Sequence, residues 1–133
     1  MKIAVVIVRV LLGLLLVFAS VAYFFDLVEA PEMEGDLLLF NQGIAAAGYL
    51  LPLVKTLELL CGLAFLSGFF VPLATVVIFP IAINILGVHL FLDPAGLPVA
   101  LFLLVGNLFL AYACRWHYHR LFSTRIKQQE VKS

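Results

Sequence analysis

An all-α fold, an integral membrane four-helix bundle with antiparallel up-down-up-down helices, is what three features of this sequence predict. Hydrophobic residues fill 65% of the 133 positions and charged residues only 12%, at a mean hydropathy of +1.17. A soluble domain of that length cannot hide so much apolar surface, so lipid is the expected solvent. The apolar residues fall into four continuous runs, each near the roughly 20 residues that a helix rising 1.5 Å per residue needs to cross a bilayer. The connections between most runs are short, which makes sequential helices antiparallel neighbours. Strand architectures are excluded because the runs do not alternate and are about twice the length of a barrel strand. Residues 1–122 then make one four-helix domain, and 123–133 a polar cytoplasmic tail.

The first run, about 3–25, follows Lys2 and is long enough to span. Ser20-Val21-Ala22 would pass for a signal-peptidase site. The apolar run nevertheless continues through Tyr23-Phe24-Phe25, and cleavage would leave an odd number of helices, so a retained helix is expected. Residues 26–47 make an acidic loop, with a short interfacial helix around 37–47 that lays Leu38, Leu39 and Phe40 against the headgroups. The second run, about 48–68, carries Pro52 in its first turn, where the missing N–H has no helical partner to lose. Ser67-Gly68-Phe69-Phe70-Val71-Pro72 supplies a very short break before the third run, about 70–92. Within that run Pro80 predicts a kink and a freed carbonyl. Asp93-Pro94-Ala95-Gly96 is a strong turn signal. The fourth run, about 97–114, ends at Arg115-Trp116-His117-Tyr118, an aromatic and basic interface anchor. The tail from Ser123 is polar and expected to fray.

Net charge is zero, but the signs are segregated. Asp26, Glu29, Glu32, Glu34 and Asp36 lie between the first two runs with no basic residue among them. Arg115, Arg120, Arg125, Lys127 and Lys132 crowd the C-terminal end beside a single Glu130. An excess of Lys and Arg marks the cytoplasmic side. Both ends are therefore expected in the cytoplasm, with the acidic loop and the Asp93 turn outside an inner (plasma) membrane. The bilayer is the expected partner, and no nucleic acid is. Cys61 and Cys114 are too far apart for a CxxC pair, and His117 and His119, spaced i and i+2, do not face each other on a helix. No metal site is read, and the cysteines are taken as small packing residues.

A charge near the bilayer centre costs at least about 2.5 to 3.5 kcal/mol, so Arg9, Lys55 and Glu58 need partners inside the bundle. Counting helical rise from the cytoplasmic face, Arg9 comes out about 9 Å deep, Glu58 and Asn107 about 15 Å, and Lys55 and Asn84 about 20 Å. One level thus collects polar groups from all four helices, and an Arg9–Glu58 ion pair is expected across it. Lys55, Glu58 and Gly62 share one helix face, as do Arg9 and Gly13, the glycines allowing close helix approach. Two readings of the layer stand: a structural network that fixes helix register, or a buried site for a polar head group, proton or quinone ring. His89, four residues before Asp93, is a secondary candidate whose plain role is a wetted interfacial anchor.

Over nearly its whole length the chain resembles the DoxX family of small four-helix bacterial membrane proteins, and most closely its short bacterial branch. The resemblance rests on Arg9-Val10-Leu11-Leu12-Gly13, Gly48-Tyr49-Leu50-Leu51-Pro52, Lys55-Thr56-Leu57-Glu58-Leu59-Leu60-Cys61-Gly62, and Asn84-Ile85-Leu86-Gly87-Val88-His89-Leu90-Phe91 leading into Asp93-Pro94-Ala95-Gly96. Relatives are linked to a thiosulfate:quinone oxidoreductase, and others to an oxidative-stress complex with a superoxide dismutase and a sulfurtransferase-like partner. No self-contained catalytic motif accompanies these segments here. The resemblance therefore implies an accessory or quinone-contacting subunit in membrane redox or thiol homeostasis, with a membrane or soluble redox partner. A small solute transporter, for which four helices would call for a homodimer, and a purely structural membrane subunit are the alternatives.

Overall fold

The computed structural model describes residues 2–29 and 31–124, and among these it holds helices and their connections but no strand. In chain order the elements are α1 (Lys2–Phe24), α2 (Gly35–Ala46), α3 (Leu50–Ser67), α4 (Val71–Phe91), a 3₁₀ turn (Pro94–Gly96), α5 (Leu97–Ala113) and a 3₁₀ segment (Arg115–Phe122). Four of the helices are long and apolar enough to cross a membrane, which makes the chain a multi-pass membrane protein. Of the expected polar tail, 123–133, the residues from 125 onward lie outside the described residues.

Helix ends fall where backbone chemistry puts them. Gly48 takes a left-handed φ of +76° after α2, so α3 begins at Leu50, slightly later than the apolar run suggests. Gly68 caps α3 at φ +81°, and its N–H bonds the Ala64 carbonyl at 2.9 Å. Phe70 is also left-handed, at φ +60°, and Pro72 then opens α4 at a position that needs no N–H. Pro80 stays inside a continuous α4, where it has no N–H to give to the Val76 carbonyl. Beyond Cys114 the chain tightens into 3₁₀ geometry, which the aromatic and basic composition of that segment did not foretell.

The core is a single cluster of Leu12, Leu16, Cys61, Phe65, Val71, Ala74, Ile78, Ala82, Leu103 and Leu110. In lipid such a cluster holds together by van der Waals fit rather than by escape from water, so small residues decide how closely helices approach. At the α1–α3 contact a Cβ on Gly62 would sit 3.0 Å from the Val17 nitrogen and 3.1 Å from the Gly13 carbonyl oxygen, and a Cβ on Gly13 would sit 3.0 Å from the Gly62 oxygen. Only hydrogen fits at either position. Leu12 fills the hollow over Gly106 on α5 in the same way, at 3.1 Å from where a Cβ would stand. The tight half of the bundle is thus the half containing the N-terminal end of α1, the α3–α4 turn and the C-terminal end of α5.

Candidate functional site

The opposite half is looser and encloses a cavity of about 380 Å³. Leu15, Leu16 and Ala19 of α1, the stretch from Leu50 to Glu58 of α3, Asn84 to His89 of α4 and Val99 to Leu103 of α5 all contribute to its wall. Phe40 and Ile44 of α2 form another part of it, so the short interfacial helix packs at the cavity rather than lying apart. A volume of this size is at the lower end of small-molecule sites.

The lining is apolar except for Lys55, Glu58, Asn84 and His89. Lys55 Nζ donates to Glu58 Oε2 at 3.1 Å, an i,i+3 contact along one face of α3. The Glu58 side chain is only 3% exposed and that of Lys55 21%, so the pair presents its cationic end to the cavity more than its anionic end. Burying the carboxylate is tolerable because the ammonium travels with it on the same helix. Asn84 is exposed, and its amide has no hydrogen-bond partner among the described residues. His89 Nδ1 lies 2.9 Å from the Asp93 carbonyl oxygen and 3.7 Å from Asp93 Oδ2, which leaves Nε2 unengaged. The ring packs where a side chain at Gly96 would otherwise stand, so the turn after α4 is built around it.

Arg9 and Asn107, expected in the same polar layer, are not part of this wall. The expected ion pair is replaced: Glu58 takes Lys55 as its partner, and the Arg9 guanidinium lies against Gly68 at the C-terminal end of α3. Two physical effects favour this. A lysine one turn away on the same helix reaches the carboxylate without spanning a helix interface, and the carbonyl end of a helix carries the partial negative charge that attracts a guanidinium. Asn107 is fully buried and donates from Nδ2 to the Thr75 carbonyl oxygen at 3.1 Å, while its Oδ1 has no partner. This amide ties α5 to α4 at the tight end.

No family model, curated protein or solved structure matches this chain. Its function therefore has to be argued from the site. Among the described residues no group of three or more His, Cys, Asp or Glu side chains could hold a metal ion. Both cysteines are free, with Cys61 Sγ 3.7 Å from the Ala74 carbonyl oxygen. Burial pushes the Cys114 thiol up, away from the thiolate that redox chemistry uses. The feature that sequence reasoning missed is the bond between the Thr75 and Tyr118 hydroxyls, which fastens the 3₁₀ segment to α4. Thr75 also donates to the Pro72 carbonyl oxygen at 2.7 Å. Forty-three positions separate the two residues, and no local pattern marks them as partners.

Proposed function

We propose that this chain is a DoxX-like membrane protein whose cavity holds the polar head of a quinone-like amphipath, as an accessory subunit in membrane redox or thiol homeostasis. The observation that carries this reading is the four polar side chains set in an otherwise apolar cavity. A neutral head group suits them. Lys55 keeps N–H donors beyond the one spent on Glu58, and Asn84 offers both a donor and an acceptor. A ring carbonyl can accept from Lys55 or Asn84, and a hydroxyl can donate to Glu58. The apolar remainder of the wall suits a ring and the start of a chain.

The antiparallel up-down-up-down order belongs to the same reading, and contacts that run in opposite senses along paired helices support it. Arg9 meets Gly68 while Val17 meets Gly62, and Thr75 meets Asn107 while His89 meets Gly96. The segregated charges support an inner-membrane orientation with both ends in the cytoplasm and the cavity in the outer half. A redox partner protein would complete the activity, because the cavity offers binding and orientation but no electron carrier.

The test is native mass spectrometry of the protein extracted in mild detergent, compared with Lys55→Met. The unmutated protein is expected to carry a quinone or similar amphipath, and Lys55→Met to remain folded but lose it. Retention of no small molecule, together with unchanged oxidant sensitivity of cells carrying Lys55→Met, would overturn the reading.

A further inference from the structure

The Arg9 guanidinium, in the tight half of the bundle, is a charged group whose buried Nε finds no partner among the described residues. It carries five N–H donors, yet none makes a hydrogen bond among the described residues, and Nε is buried without a partner. The side chain rests on the α3–α4 turn against Gly68, where any Cβ would collide with it. Among the described residues no carboxylate lies at this end. Asp26, Glu29, Glu32, Glu34, Asp36 and Asp93 lie in or next to the connections at the opposite end, and Glu58 faces the cavity.

Among the described residues the cations at this end are Lys2, Arg9, Arg115 and Arg120. Arg115 donates from Nη1 to the Tyr112 carbonyl oxygen at 3.0 Å and stacks over the Tyr112 and Trp116 rings, at 4.4 and 5.2 Å from their centroids, so its position is set within its own segment. The 3₁₀ segment that carries Arg115 and Arg120 is fastened to α4 through Tyr118 and Thr75, and α4 starts just after the turn against which the Arg9 side chain rests. Phe69, Phe70 and Trp116 are more than 70% exposed around these cations, where side chains of this type sit at headgroup level.

We infer that this end of the bundle binds an anionic phospholipid, whose phosphate oxygens accept hydrogen bonds from Arg9 while Arg115 and Arg120 hold its net charge. Arginine's planar fork suits phosphate oxygens. Arg9 lies about 10 Å along α1 from Lys2, a depth from which its long side chain reaches the phosphate level. This inference needs the chain to lie in a bilayer. It does not depend on the cavity reading or on which leaflet this end occupies.

The experiment uses the full chain in mild detergent with equal amounts of phosphatidylglycerol and phosphatidylcholine, and counts retained lipids by native mass spectrometry. Preferential retention of phosphatidylglycerol is expected, falling about fivefold for each arginine lost in Arg9→Gln and in the Arg115→Gln, Arg120→Gln pair. Arg9→Lys is expected to keep charge attraction but lose part of the preference, which also serves if Arg9→Gln fails to fold. Inorganic phosphate added at tens of millimolar is expected not to displace the lipid. Equal retention of both lipids by the unmutated protein would overturn the inference. So would an unchanged preference in the Arg9 variants, or displacement by free phosphate, which would make this a simple anion site. A soluble acidic protein captured in place of lipid would overturn it as well.

Discussion

Arg9 and Glu58 meet the same difficulty, a full charge placed among apolar helices, in two different ways. Glu58 is satisfied within its own helix by Lys55, at 3.1 Å. Arg9 is placed at a helix end, against a glycine whose left-handed φ of +81° and missing Cβ are both required there. Each arrangement predicts a distinct pattern of couplings. Glu58→Leu alone leaves an uncompensated ammonium, a loss that reaches about 3 to 5 kcal/mol for fully buried pairs and is smaller where Lys55 can turn toward the membrane surface. Adding Lys55→Met should restore much of that loss, so the two substitutions are expected to be non-additive. Arg9→Leu and Glu58→Leu share no contact and should add to within about 0.5 kcal/mol. Reversible unfolding in mixed micelles checks both cycles, and a strong Arg9–Glu58 coupling would mean that the guanidinium reaches the carboxylate after all.

At the scale of elements, the α1–α3 interface is the most sensitive to a small change, because its closest neighbours are backbone atoms. A Cβ at Gly62 would meet the Val17 nitrogen at 3.0 Å and the Gly13 oxygen at 3.1 Å, and neither can move aside without displacing a helix. Gly62→Ala is therefore expected to cost about 1 to 3 kcal/mol, the range for overpacking. Gly87→Ala on α4, where a Cβ meets nothing within 4 Å, should be close to neutral in the same unfolding assay. Both glycines stand in apolar stretches, and only the packing separates them. How far the sequence can be read follows the same division. The long helices were legible because continuous hydropathy depends on the chain alone, and the shared face of Lys55 and Glu58 was legible because i,i+3 spacing is geometry internal to one helix, but their pairing was not, since Glu58 was expected to reach Arg9. The direction taken by Arg9 and the Thr75–Tyr118 bond were not legible, since both depend on which helix ends meet. The cavity was only half legible: Lys55, Glu58 and Asn84 line it as a polar group, but Asn107 of the same expected layer joins α5 to α4 instead. Counting rise along each helix places residues by depth but says nothing of the direction in which each face turns.

For the whole molecule, the two ends of the bundle differ in charge as sharply as in packing. The loop from Asp26 to Asp36 and the turn at Asp93 hold the acids beside the loose, cavity-bearing half, while Lys2, Arg9, Arg115 and Arg120 stand at the tight half. Insertion machinery leaves Lys- and Arg-rich segments in the cytoplasm, so the proposed orientation puts the cavity toward the outside, where its ligand enters from the outer leaflet or the external solution. Single cysteines can test this, provided the native thiols stay silent. Cys61 is buried in the core, and Cys114, at the end of α5, can be replaced by serine. In that background Glu32→Cys, on the acidic loop, should react in intact cells with a membrane-impermeant maleimide. Ser123→Cys, just beyond the 3₁₀ segment, should react only after the membrane is opened. Labelling of Ser123→Cys in intact cells with Glu32→Cys protected would invert the orientation and open the cavity toward the cytoplasm. Labelling of both positions in intact cells would place them on one face, which an even number of crossings between them cannot avoid and an odd number forbids. Residue 32 precedes α3, α4 and α5 and residue 123 follows them, so opposite reactivity is the outcome that three intervening crossings require.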